Sequence, residues 1–191
     1  MEQSKVRDFM VPLDEYATVS QENTLYEAVL ALEKAQEELD RERYVYLHRA
    51  ILVCDENGKI VGKVSQLDVL RALEPKYQDI GEPRAISRAG FSPNFLKSIM
   101  EQYSLLAESF MEICTRSAEL KVKNFMYTPT EGEYVQEDAA LKIAIHQLVM
   151  GHHQSLLVTG GNEIVGILRL SDIFKHTFQT IKTCKKGRRQ S

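Results

Sequence analysis

The chain has 191 residues, 43% of them apolar and 27% charged, which is long enough for one good core or two small ones and excludes wholesale disorder. A net charge of −3 gives the whole molecule no bulk attraction to nucleic acid or an anionic membrane. No run approaches 18 apolar residues, no apolar signal core follows Met1–Lys5, and Cys54, Cys114 and Cys184 are too widely spaced for a disulfide framework or a paired-cysteine metal motif; the expectation is a cytoplasmic protein.

The chain opens on Val6-Arg7-Asp8-Phe9-Met10-Val11-Pro12, and this segment echoes at Val122-Lys123-Asn124-Phe125-Met126, 116 residues later. Each copy continues into a short strand, Ala17–Val19 or Glu133–Val135, and then into a helix that Ser20 or Asn23 caps in the first copy and Asp138 in the second. Leu25, Ala28, Leu32, Ala35 and Leu39 form one apolar stripe at helical spacing. The opposite face is acidic, with Glu37 and Arg41 spaced for a helical pair; the shorter second helix begins at Leu141. A buried strand follows in each copy, Ile51–Cys54 or Ser155–Val158. Turns at Asp55–Gly58 and Thr159–Asn162 carry the Asn-Gly and Gly-Gly pairs that tolerate positive φ. The next strands, Lys59–Val64 and Glu163–Leu168, lead into helices opening at Ser65 and near Ser171. Here the offset has fallen to 104, so the first copy holds 12 extra residues, about 36–47, including Tyr44-Val45-Tyr46. Each copy therefore reads β-α-β-β-α, a unit too small to bury its own apolar face, and two copies bury each other.

Between the copies, Pro75, Gly81, Pro83, Gly90 and Pro93 break the chain into loops. Ser92-Pro93 then starts a helix, or two in succession, with Leu96, Ile99, Tyr103, Leu106, Phe110 and Ile113 on one stripe. This insert either packs on the repeats or serves association. After Asp172 there is no acidic residue; removing Lys175, Lys182, Lys185, Lys186, Arg188 and Arg189 leaves 18 basic against 27 acidic residues, a net −9 for positions 1–172. The basic tail is a solvated helix end or a patch for an acidic partner.

The segment most open to chemistry is Ile60-Val61-Gly62…Ser65-Gln66-Leu67-Asp68, which returns as Ile164-Val165-Gly166…Arg169-Leu170-Ser171-Asp172. Ser65 and Asp68 are spaced as a capping box. The same geometry presents unpaired helix amides to a phosphate and a carboxylate to ribose hydroxyls. His48-Arg49 and His152-His153 align at the 104 offset, each just before a buried strand. They are surface or cap histidines, phosphate contacts or, with His146, a metal site for which no carboxylate or cysteine is suitably spaced. A nucleophile elbow, a P-loop, HExxH and GxGxxG are all absent from the sequence, so no enzyme is expected.

The ordered set of these features, present twice over about residues 4–74 and 120–178, resembles a tandem pair of cystathionine-β-synthase (CBS) domains, the Bateman module. The resemblance implies an α/β fold of two β-α-β-β-α repeats with pseudo-twofold symmetry: residues 1–74 the first, 75–119 a helical insert, 120–191 the second with its basic tail. It also implies a stand-alone regulatory sensor that requires no cofactor and binds an adenosine-containing ligand (AMP, ADP, ATP or S-adenosylmethionine) in clefts between the repeats. Asp68 and Asp172 would hold a ribose and Ser65 would lie near it; Thr18 and Tyr134 would line the base pocket, and His48, Arg49, His152 and His153 would face phosphate. Arg169 stands where the first copy has Ser65, a departure that either binds phosphate or blocks the second cleft. The expected partners are a second copy, in a flat homodimer, and a separate downstream protein target, without membrane or nucleic acid. The alternatives are a structural protein that dimerises through the same fold without a ligand, and a nucleic-acid binder acting through the tail.

Overall fold

A strand pair that runs parallel needs a crossover, and an amphipathic helix supplies one while covering the sheet. In the computed structural model, which describes residues 4–39, 42, 46–78, 80 and 92–187, this happens twice. The described strands are β1 (Val11–Pro12), β2 (Thr18–Ser20), β3 (Ala50–Cys54), β4 (Ile60–Ser65), β5 (Tyr134–Gln136), β6 (Ser155–Gly160) and β7 (Glu163–Arg169). The helices are α1 (Leu25–Glu37), α2 (Gln66–Ala72), α3 (Pro93–Gln102), α4 (Phe110–Ala118), α5 (Leu141–Gly151) and α6 (Leu170–Gly187). β2 runs parallel to β3 across α1, and β4 returns antiparallel; β5, β6 and β7 repeat the pattern across α5. Side chains alternate along each central strand. Ile51 and Val53 face a core under α1 and Leu156 and Val158 one under α5, while Leu52 and Leu157 meet between the sheets with Val11, Tyr16, Ile60 and Ile167.

The two repeats exchange their first segments. β1 adds to β7 of the second repeat, Val11 opposite Ile167, and Val6 is fully buried in the second repeat's core. Reciprocally, the Tyr127 backbone brackets Lys63 of β4 with two 2.9 Å hydrogen bonds, and Val122 is buried in the first repeat's core. Each arm covers the open strand edge of the other repeat.

This exchange accounts for the repeated glycine. A Cβ at Gly166 would lie 2.5 Å from the Val11 carbonyl oxygen, and one at Gly62 would lie 2.9 Å from Met126 Sδ and 3.0 Å from the Tyr127 carbonyl. The arm also corrects the expected caps. Thr24, not Ser20 or Asn23, caps α1, in a box with Glu27. The N-cap of α5 is Ala140, whose side chain makes no capping bond, rather than Asp138. The first helical amides instead reach the other repeat's arm: Leu25 N donates to Leu120 O (2.8 Å) and Leu141 N to Ser4 O (2.9 Å).

Gly58 and Gly161 take the positive φ expected of the hairpins, 77° and 66°. The turns differ by one residue, however. Val53 pairs with Gly62 and Val158 with Gly166, an offset of 105 on the first strand and 104 on the second. His48 therefore matches His153, and Arg49 matches Gln154, not the pairing expected from a constant 104. The helix starts agree: Gln66 N donates to Arg49 O, and Leu170 N to Gln154 O.

The insert forms two helices, and its expected single stripe breaks between them. Ser104 and Leu106 adopt positive φ (48° and 52°), and Leu105 is the buried residue. Buried Glu74 holds this turn by accepting the Leu106 amide (2.7 Å). Ser92 caps α3 as expected, and α4 lies beside α1. Arg41, Tyr44, Val45, Gly81, Pro83, Gly90, Arg188 and Arg189 fall outside the described residues. Among the described residues no helix is long and apolar enough to cross a membrane.

Candidate functional site

Strand β4 delivers Ser65 to the N-terminus of α2, and the capping box is formed in full. Asp68 Oδ2 accepts from the Ser65 hydroxyl (2.5 Å) and amide (2.8 Å), and Ser65 Oγ accepts the Asp68 amide (3.3 Å). Asp68 is 6% exposed. Its other oxygen has, among described residues, only a long pair with Arg71 at 3.7 Å. Arg49 is exposed beside this helix start, its carbonyl on the Gln66 amide. The helix start thus sets a carboxylate and a serine hydroxyl together, with the Arg71 guanidinium beside them.

The corresponding position in the second repeat is occupied from within. Arg169 grips both oxygens of Asp172, Nε to Oδ2 at 2.5 Å and Nη2 to Oδ1 at 2.8 Å. Its Nη1 crosses to the first repeat, reaching His48 Nδ1 at 2.9 Å and the Tyr46 carbonyl at 3.3 Å. A guanidinium only donates, so His48 Nδ1 accepts and the ring proton sits on Nε2. Tyr16 packs edge-on to that imidazole at 4.4 Å. Burial, and then the Arg169 charge, pull the His48 pKa down to about 4, Asp172 opposing. Burial pushes the Tyr16 phenol well above its usual range. His48 is neutral here.

A second buried cluster, not foreseen, ties the repeats on the other side. Lys63 donates to Glu133 Oε2 at 2.8 Å, the Tyr127 hydroxyl donates to Oε1, and His153 Nδ1 lies 3.9 Å from Oε2. Burial raises the Glu133 carboxyl, but the hydrogen bonds from Lys63 and Tyr127, the Lys63 charge and the Thr130 amide outweigh it and hold the group below its ordinary value. A signal for this existed in the sequence. Lys63 interrupts an apolar strand exactly where the second copy has Ile167, and a lysine there needs an acid.

The remaining expected residues scatter. Exposed Thr18 opens onto a groove of about 610 Å³ at the hairpin end, with Leu13, Asp14, Cys54, Ile60 and Ile164. Tyr134 packs against the inter-sheet core, and its carbonyl accepts Gln147 Nε2. Exposed His152 terminates α5 in the left-handed conformation (φ 52°). The structure thus brings together Ser65, Asp68 and Arg49 at one helix start, and Arg169, Asp172 and His48 at the other. His153 joins Lys63 and Glu133.

The CBS domain family model matches residues 6–75 and 122–178. Among curated proteins no relative matches by sequence. Similar solved structures include a CBS domain-containing protein of unknown function from Bacillus anthracis str. Ames Ancestor (19% identity, TM-score 0.60, covering 93% of this chain and 95% of that one). The CBS domain of a CBS domain containing membrane protein from Sphaerobacter thermophilus has 19% identity and TM-score 0.57, covering 91% and 88%. CBSX2 in complex with AMP has 16% identity and TM-score 0.55, covering 92% and 97%.

Proposed function

The chain belongs to the CBS-domain family, and on that premise we propose that it is a regulatory module sensing an adenosine-containing ligand, AMP, ADP, ATP or S-adenosylmethionine, at the Ser65–Asp68 helix start. One observation carries the reading: Asp68 accepts its bonds from its own cap through one oxygen, so the other can receive a ribose hydroxyl while the Ser65 hydroxyl turns to the second. Arg49 and Arg71 are close enough in the chain to that helix start to meet phosphate. The AMP complex of CBSX2 supports the ligand class. The module transmits occupancy to a separate protein target through a homodimer. Exposed Leu67 and Leu70 on α2, and Leu170, Phe174 and Phe178 on α6, are the surface we assign to the second copy.

A thermal-shift panel with AMP, ADP, ATP, S-adenosylmethionine and NAD tests the sensor. A ligand at 100 times its Kd stabilises the fold by about 2.7 kcal/mol, or on the order of 5–10 °C for a chain of this length. Asp68→Ala removes the shift. A chain that no ligand stabilises, yet that stays dimeric by light scattering, is a structural module instead.

A further inference from the structure

The two helix starts are the same strand–turn–helix, yet one lacks what the other has inside it. We infer that Arg169 is the residue that sets ligand stoichiometry: its guanidinium fills the second cleft as an internal cation, closing it to ligand, so that the module binds one adenosine-containing molecule per chain. The inference rests on the sensing role proposed above.

Three observations converge on it. Arg169 is 5% exposed and Asp172 gives it both oxygens, so a ribose at Asp172 would have to break two charge-assisted bonds. The same side chain, at the end of β7, reaches across the interface to His48 Nδ1 and the Tyr46 carbonyl, occupying the space between the repeats rather than staying within its own. His48 stays neutral beside it under the combined effect of burial and the Arg169 charge, so the cluster is matched: a guanidinium with a carboxylate, a lone-pair nitrogen and a carbonyl as acceptors. At the first helix start the capping position is a serine. Its hydroxyl is too short to span the cleft, so Asp68 keeps one oxygen outside the capping box.

The test is titration calorimetry of AMP into the full chain, with ATP and S-adenosylmethionine run in parallel. The wild type binds at one site per chain; Arg169→Ser, which copies the first repeat, binds at two. Arg169→Gln, uncharged but closer in volume, serves if the serine variant does not fold. Two sites in the wild type, or one site in a folded Arg169 variant, overturns the inference. If neither protein binds any of the three compounds, the sensing role fails and a ligand-free measurement decides the plug. Ethylguanidinium at millimolar concentration should raise the melting temperature of Arg169→Ser saturably, by refilling the cleft, and leave the wild type unmoved. A variant that ethylguanidinium does not stabilise shows that the cleft is not guanidinium-shaped, and the plug is then wrong.

Discussion

A methyl group added at Gly166 would meet a backbone oxygen at 2.5 Å, whereas at Gly62 the nearest atom is the flexible Met126 Sδ. Gly166→Ala should therefore destabilise the chain by about 1–3 kcal/mol, the usual range for overpacking, and Gly62→Ala by less; urea unfolding of the two variants measures the order. His48 gives the fold a pH dependence. Its native pKa of about 4 lies below its ordinary 6.5, so between those values the unfolded chain binds a proton that the native one does not. Stability is complete above pH 6.5 and is lost as pH falls towards 4. Melting temperatures from pH 4 to 8 should flatten over that window in His48→Gln, whose carbonyl can still accept from Arg169. Lys63 and Glu133 form a buried pair, with side chains 13% and 1% exposed. Glu133→Gln strands the lysine and should cost about 3–5 kcal/mol, while adding Lys63→Met recovers most of it; a double-mutant cycle in urea separates the terms.

At the scale of elements, the arms matter most. Val6 lies in the second repeat's core and Val122 in the first's, so each repeat depends on the other's opening segment. Val6→Ala, a loss of roughly 1–3 kcal/mol, should speed amide exchange first at Leu156 and Leu168. Val122→Ala should act first at Ile51 and Val64. Exchange changing in the variant's own repeat instead would contradict the swap. The periodicity made the crossover helices, the hairpins and the Ser92-Pro93 start legible, because each is a local pattern. The exchange was not legible: a two-residue strand has no periodicity, and nothing local says which sheet edge it takes. The α5 cap failed for the same reason, since Ser4 supplies from a distance what Asp138 was expected to supply nearby, whereas at α1 the cap is still local and only falls on Thr24. The histidine alignment failed through a single residue of turn length, which shifts one strand of the hairpin and not the other.

The whole molecule is two sheets sharing one inter-sheet core, pinned on one side by Arg169 and His48 and on the other by Lys63 and Glu133. The candidate site was half legible at this scale. The spacing of Ser65 and Asp68 identified the helix start, and the Arg169 departure flagged the second one. Asp172, three residues on, is the local partner of Arg169, but Tyr46 and His48 lie more than 120 positions away and carry no local signature. If the exposed apolar rows of α2 and α6 meet a second copy, Leu70→Lys together with Phe174→Lys should halve the mass in light scattering without lowering helix content. The sensing role stands on Asp68 holding the ligand. Calorimetric titration of AMP, ATP and S-adenosylmethionine into wild type and Asp68→Ala tests it most directly. At least one compound should bind the wild type and lose ten-fold or more in affinity, about 1.4 kcal/mol, in the variant; equal affinity in the two proteins, or no binding to the wild type, would rule that role out.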